Sequence, residues 1–317
     1  MHIDIIFSQI LILSLLVIIG IVGSKARIIT LEGKDFLAGI IFNITLPFMF
    51  LTNFSKIEFS PRLLTNSLFV LGLTCFLLSL MLFAGWLMTK LLKMNQSDAI
   101  IYKAHSVFGN LVYLGFPLIL ALYGEEGLLY ASMYQVVSNI FTWTVGVVIL
   151  NQGKGSSLGQ NLKRVLNLNT IAVFIGFTMF LFSIKLPSIL LKPLSGLGDC
   201  TSYLSMLYLG AMLFYTTRKG LFSNRIVYIL SLSKLLFVPV ILFLFLKLIS
   251  ISIPGKLDSL VISVLILQAA MPCMVNVVIM AKIFGADDKF AAANVFVSTL
   301  MSILTIPVIL LLLSYMA

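Results

Sequence analysis

Charge is what this sequence has least of. Only 10% of its 317 residues are Asp, Glu, Lys or Arg, the acids number 11 and the histidines two, whereas 60% of the chain is hydrophobic and the mean hydropathy is +1.13. A chain of this length has too little polar surface to enclose that much apolar material in water, so lipid must be the solvent for most of it. Catalytic signatures are missing as well. The sequence holds no HExxH, no Walker loop and no nucleophile elbow, so an enzyme is excluded and no metal or cofactor is expected. No acid falls at the centre of an apolar run, which argues against the paired carboxylates of a cation-proton antiporter. The three cysteines, Cys75, Cys200 and Cys273, lie in apolar surroundings without CxxC spacing and are read as core fillers.

What the chain does have is apolar runs of span length. A helix needs about 20 apolar residues to cross a hydrocarbon core, and the sequence supplies such runs rather than short alternating strands. Cutting at charged and turn-forming clusters predicts spans near 5–22, 35–53, 66–89, 99–122, 127–150, 166–184, 196–215, 226–246, 258–282 and 290–315. The first has Asp4 before it and Lys25 and Arg27 after it, without a small-residue cleavage site, so it reads as a retained helix. The net charge of +10 resides in the short connections, not in a stripe or tail, so a nucleic-acid partner is not expected. The odd-numbered loops hold fourteen Lys and Arg and the even-numbered loops six. That bias puts the odd loops in the cytoplasm and both termini outside a plasma or inner membrane.

Shifted by about 162 residues, the chain meets its own punctuation, an internal match that marks a repeat. Tyr123-Gly124 before Glu125-Glu126 matches Phe284-Gly285 before Asp287-Asp288, and Phe59-Ser60-Pro61-Arg62 matches Phe222-Ser223-Asn224-Arg225. A repeat of five helices, an odd number, must be inverted in its second copy. Residues 1–150 are thus expected to form the first half, 151–165 a short cytoplasmic linker and 166–317 the second half. Inverted halves are the usual build of secondary carriers.

The fourth helix of each half carries a break signal. Gly109-Asn110 through Gly115-Phe116-Pro117 interrupts span four, and Gln268-Ala269-Ala270-Met271-Pro272-Cys273-Met274-Val275-Asn276 interrupts span nine. Proline lacks the amide hydrogen and clashes with the carbonyl four residues back, while glycine weakens the helix. Each proline is expected at the first position of a new half-helix, whose free N–H groups face the membrane centre and attract an anion. Candidate substrate-binding residues are Asn110, Gly115, Pro117, Gln268, Pro272 and Asn276, with Asn43, Asn139 and the intramembrane Lys234 beside them. His105, the only histidine in a span, is the coupling candidate. Ser298, Thr299 and Ser302 read as packing contacts.

These motifs, with Leu46-Pro47 and the stretch from Val297 to Pro307, resemble the auxin efflux carrier family over nearly the whole chain, and most the compact bacterial members known as malate or malonate permeases. The resemblance implies an all-α integral membrane fold of ten transmembrane helices, two inverted five-helix repeats with broken crossover helices four and nine. It further implies a scaffold of helices one, two, six and seven that forms a homodimer. Helices three to five and eight to ten would then be a transport domain moving by an elevator-like step. Tyr203 stands where bacterial relatives commonly show proline. The reading is a carrier for a small carboxylate, with two alternatives: a sodium-coupled symporter of the bile-acid type, or a membrane sensor that transports nothing.

Overall fold

The computed structural model describes residues 3–151, 164–216, 224–252 and 258–314. Helix follows helix throughout, with no strand among the described residues. In chain order α1 is Ile3–Lys25, α2 Leu31–Ile40, α3 Leu46–Lys56, α4 Pro61–Leu91, α5 Gln96–Val107, α6 Phe116–Phe141 and α7 Val147–Leu150. Beyond the cytoplasmic linker expected at 151–165, which lies for the most part outside the described residues, come α8 Leu168–Leu181, α9 Ser188–Tyr215, α10 Arg225–Leu232, α11 Val238–Ser252, α12 Ser259–Ala269, α13 Val275–Phe284 and α14 Asp288–Ser314. Wide turns at Ile41–Thr45, Leu111–Gly115, Thr142–Gly146 and Ser233–Phe237 join some of these end to end.

Five continuous helical stretches among the described residues are long and apolar enough to cross a membrane: Leu31–Lys56, Pro61–Leu91, Leu111–Leu150, Arg225–Ser250 and Asp288–Ser314. Shorter apolar helices at Leu11–Lys25, Leu168–Leu181, Ser259–Ala269 and Val275–Phe284 accompany them. This is a multi-pass integral membrane protein. The 40-residue stretch Leu111–Leu150 would measure about 60 Å at 1.5 Å per residue, about twice the hydrocarbon thickness. Gly124 divides it, with φ 63° and ψ −154°, a backbone geometry open to glycine and closed to most L-residues.

Three of the four wide turns have one cause. Pro47, Pro117 and Pro239 each follow their turn by two residues, so the carbonyl that the ring would strike belongs to the third residue of the turn: Asn43, Tyr113 or Leu235. Widening the turn to a bond five residues long moves that carbonyl aside, and Leu46 N–H accordingly donates to Ile41 O and Val238 N–H to Ser233 O. The fourth turn has no proline behind it; its last residue, Gly146, leaves room for the Phe108 ring, which would stand 2.9 Å from a Cβ placed there.

The chain forms two compact units. The first consists of Met1–Phe69, Val112–Val136 and Leu166–Thr216. In it α1 and α9 approach backbone to backbone, because a Cβ placed on Gly210 would fall against Val17 O and 2.8 Å from Gly20 Cα, while one placed on Gly20 would fall against the Leu207 carbonyl. Small residues permit such approach where lipid supplies no hydrophobic drive between helices. Gly176 of α8 seats the Phe54 ring of α3, and Gly198 of α9 meets the Met49 backbone. At one end of the unit polar groups pair in clusters: Arg62 with Glu126 at 3.2 Å, Lys56 with Glu125 at 3.7 Å and Lys185 with Glu58 at 3.0 Å. Tyr130 donates to Glu126 and accepts from Asn66.

The second unit consists of Val70–Leu111, Val137–Val165 and Thr217–Ala317. Its centre is α14, packed against α10, α13 and α5. Gly85 of α4 accommodates Ser106 of α5, and Arg164 stacks over Trp143 with 5.3 Å to the ring centroid. The cysteines depart from expectation. Cys273 is buried in this unit, but Cys75 and Cys200 are exposed, since a membrane protein can face lipid with a small apolar side chain as readily as it can bury one.

The α1–α9 contact yields a test. Gly210→Val should destabilise the protein by about 1–3 kcal/mol, since backbone has to move to admit the side chain. Gly39→Ala, where nothing lies within 4 Å of an added Cβ, should be neutral or slightly stabilising. Thermal unfolding of both variants in one detergent reads the difference.

Candidate functional site: a crossover of two interrupted helices

Helix α5 stops at Val107 because Phe108 turns to extended geometry, φ −86° and ψ 120°. Helix α12 stops at Ala269, and α13 begins only at Val275, after Met274 in extended geometry. The short extended segments left between these ends lie against each other inside the second unit. Gly109 and Cys273 form an antiparallel bridge. Asn110 N–H donates to Pro272 O at 2.7 Å, and Met274 N–H donates to Phe108 O at 3.2 Å. The two breaks therefore satisfy part of each other's backbone, as non-helical chain at membrane depth must.

Glycine makes the pairing possible. A Cβ at residue 109 would stand 3.1 Å from Met271 Cβ and 3.3 Å from Met271 O. Neither proline opens a half-helix, contrary to expectation. Pro117 is the second residue of α6 and follows a wide turn, and Pro272 lies on the extended segment three residues ahead of α13. The physical reason is that the break in span four falls at Gly109, where the segments need closest approach, while the wide turn absorbs the steric demand of Pro117. Pro272 loses nothing by lacking an amide hydrogen, because what the pairing takes from it is its carbonyl.

Polar side chains gather around this crossover in the second unit. Asn110 is 3% exposed and Gln268, in the last turn of α12, 1%. Gln268 has both amide atoms buried without a protein partner. Pro272 is buried, and Asn276, second residue of α13, is half-buried. His105, in the last turn of α5, is fully buried. Lys234, 1% exposed in the turn Ser233–Phe237, donates from Nζ to the Ser106 carbonyl at 3.3 Å and acts electrostatically on both His105 and Cys273. Its ammonium thus meets the carbonyl end of α5, where a helix dipole favours positive charge.

Other candidates lie elsewhere. Gly115 and Pro117 are buried in the first unit, seven residues or fewer along the chain from Asn110. Asn43 also belongs to the first unit, where it is exposed and donates to its own helix at Gly39 O, 3.0 Å. Asn139 is half-buried in the second unit and donates to Val165 O at 3.1 Å.

One buried polar residue escaped the sequence reading. Asn294 of α14 is 0% exposed, with both amide atoms lacking a protein partner. Ser298, one turn further along the same face and expected as a packing contact, accepts the Cys273 N–H with its hydroxyl at 3.0 Å and donates to Val295 O at 3.3 Å. The signal was there in the spacing of Asn294, Ser298 and Ser302, a polar row four residues apart on an otherwise apolar helix. Buried amides are costly unless bonded, so Gln268 and Asn294 are groups that a polar ligand can satisfy. Among the described residues no three of His, Cys, Asp and Glu group closely enough to hold a metal.

A membrane-embedded helical protein with a polar crossover of broken helices is of the transporter class. Over residues 5–310 the chain matches the model of the membrane transport protein family, the auxin efflux carriers, and it belongs to that family. It is 26% identical over 304 residues to an uncharacterized transporter of Methanocaldococcus jannaschii, covering 94% of this chain and 95% of that one. It is also 23% identical over 206 residues to a proposed malonate transporter of Rhizobium meliloti, covering 63% of this chain and 62% of the relative.

Ser298→Ala removes the acceptor of a buried amide and should cost about 1–3 kcal/mol in stability. Ser298→Thr, which keeps the hydroxyl, should recover most of it. Thermal unfolding midpoints of the two variants check this.

Proposed function

We propose that the protein is a secondary carrier of a small organic anion, most simply a dicarboxylate of malonate size, bound at the crossover and carried across the plasma membrane by alternating access. The observation that supports this best is the polar composition of the second unit around the crossover. Buried there are the amides of Asn110, Gln268 and Asn294, the ammonium of Lys234 and the first turn of α13, whose cap Met274 offers its N–H groups no side-chain acceptor. The four acids of that unit, Asp98, Asp258, Asp287 and Asp288, all stand at helix starts. A chamber with donors and positive charge but no carboxylate suits an anion and repels a cation. Membership of a transporter family, with a relative named for malonate transport, agrees with it.

On this reading the chain crosses the bilayer ten times, as two inverted five-helix halves with both termini outside. The second unit carries the substrate, and helices α1, α2 with α3, α8 and α9 serve as scaffold and dimer contact. Asn276, in the first turn of α13, is a further ligand candidate, and His105 lies at the buried end of α5 as the coupling candidate.

Uptake of labelled malonate into proteoliposomes tests the proposal. Asn110→Ala and Gln268→Ala should each lower uptake about tenfold or more, the loss expected when a hydrogen bond to a charged ligand disappears, about 1.5–3 kcal/mol. Full uptake by the double variant would exclude the crossover as the binding site. Dependence of wild-type uptake on sodium would favour the bile-acid type of symport, and tight binding without flux would point to a sensor.

A further inference from the structure

Lys234 is a cation with no acid to answer it. Its ammonium is buried, its bond to the Ser106 carbonyl uses one of three donors, and none of the ion pairs among the described residues includes it. The four carboxylates of its unit are engaged at helix starts: Asp98 with Asn95, Asp258 and Asp287 capping their helices through the amides of Leu260 and Phe290, and Asp288 in the first turn of α14. A buried charge that lacks a partner is expensive in low dielectric, and removing the partner of an existing pair costs more than the pair itself contributes.

The first turn of α13 adds about half an elementary charge of the same sign on the other arm of the crossover, and the carbonyl ends of α5 and α12 subtract about half each. The empty crossover therefore remains positive through the ammonium, and a bound carboxylate is the counter-charge it lacks.

We propose that Lys234 makes this carrier an anion exchanger: the loaded unit relocates readily because the substrate neutralises the ammonium, whereas the empty unit, holding an unanswered charge, relocates slowly. The inference rests on the anion-carrier reading and adds its mode of operation. Net transport then waits on the return of the empty site, and a second anion bound on the far side relieves that wait.

The experiment is counterflow. Wild-type protein is reconstituted into liposomes containing either unlabelled malonate or sulfate at equal osmolarity, with labelled malonate outside, and initial uptake is compared. Internal malonate should accelerate uptake about tenfold or more, a barrier difference of about 1.4 kcal/mol. Lys234→Gln, which keeps a donor for Ser106 O and removes the charge, should bring the ratio of the two rates close to one. Lys234→Arg should preserve the ratio. Equal wild-type rates with and without internal malonate would overturn the exchange inference and leave the anion-carrier reading standing, whereas no malonate uptake in either condition would overturn both. A Lys234→Gln protein that unfolds at the wild-type temperature yet keeps the full ratio would also overturn it. The wild-type comparison stands by itself if the variant fails to fold.

Discussion

Two backbone hydrogen bonds, Asn110 N–H to Pro272 O and Met274 N–H to Phe108 O, hold together the two helix interruptions on which the second unit is built. Interrupting a helix within the hydrocarbon leaves amide and carbonyl groups that water cannot reach, at several kcal/mol each. One interruption alone would have to be filled by side chains. Two interruptions that meet can pair like strands. The glycine at 109 and the hydroxyl of Ser298 are consequences of that arrangement: one lets the segments approach, the other accepts an amide that the pairing leaves over.

The electrostatics of the second unit follow from where its acids stand. With its carboxylates at helix starts, Lys234 is met by a carbonyl at the end of α5, and buried amide side chains supply further polar groups near the crossover. On the anion-carrier reading, selectivity resides in the sign of the potential and in donors at fixed positions, so closely related acids are to be told apart by size more than by functional group.

Much of this was legible in the sequence, and the failures have physical reasons. Membrane residence followed from hydropathy, and the two interruptions from glycine and proline grouped with asparagine in spans four and nine. The exact point of each break was not legible, because proline advertises a disturbed ladder without saying which side relaxes: at Pro117 the disturbance was taken up by a wide turn and the break lies seven residues earlier. Asn294 stands in a polar row with Ser298 and Ser302, but such rows on apolar helices more often bond a neighbouring helix than a ligand. Asn43 drew attention for its position before Pro47, yet it bonds its own helix, as amides beside a proline-widened turn are free to do. Family membership, carried by motifs spread along the whole chain, was legible in the sequence and silent on what is carried.

The wide turns also change how the surface of each rod is oriented. A turn with five-residue bonds takes in one residue more than an α-turn, so side chains beyond it are rotated by about 100° relative to those before it. In the stretch Arg225–Ser252 the residues of α10 that face α14 and the residues of α11 that face α12 are therefore not in phase. The inserted residue turns one stripe of this rod away from the other, and it is at the joint between them that Lys234 sits.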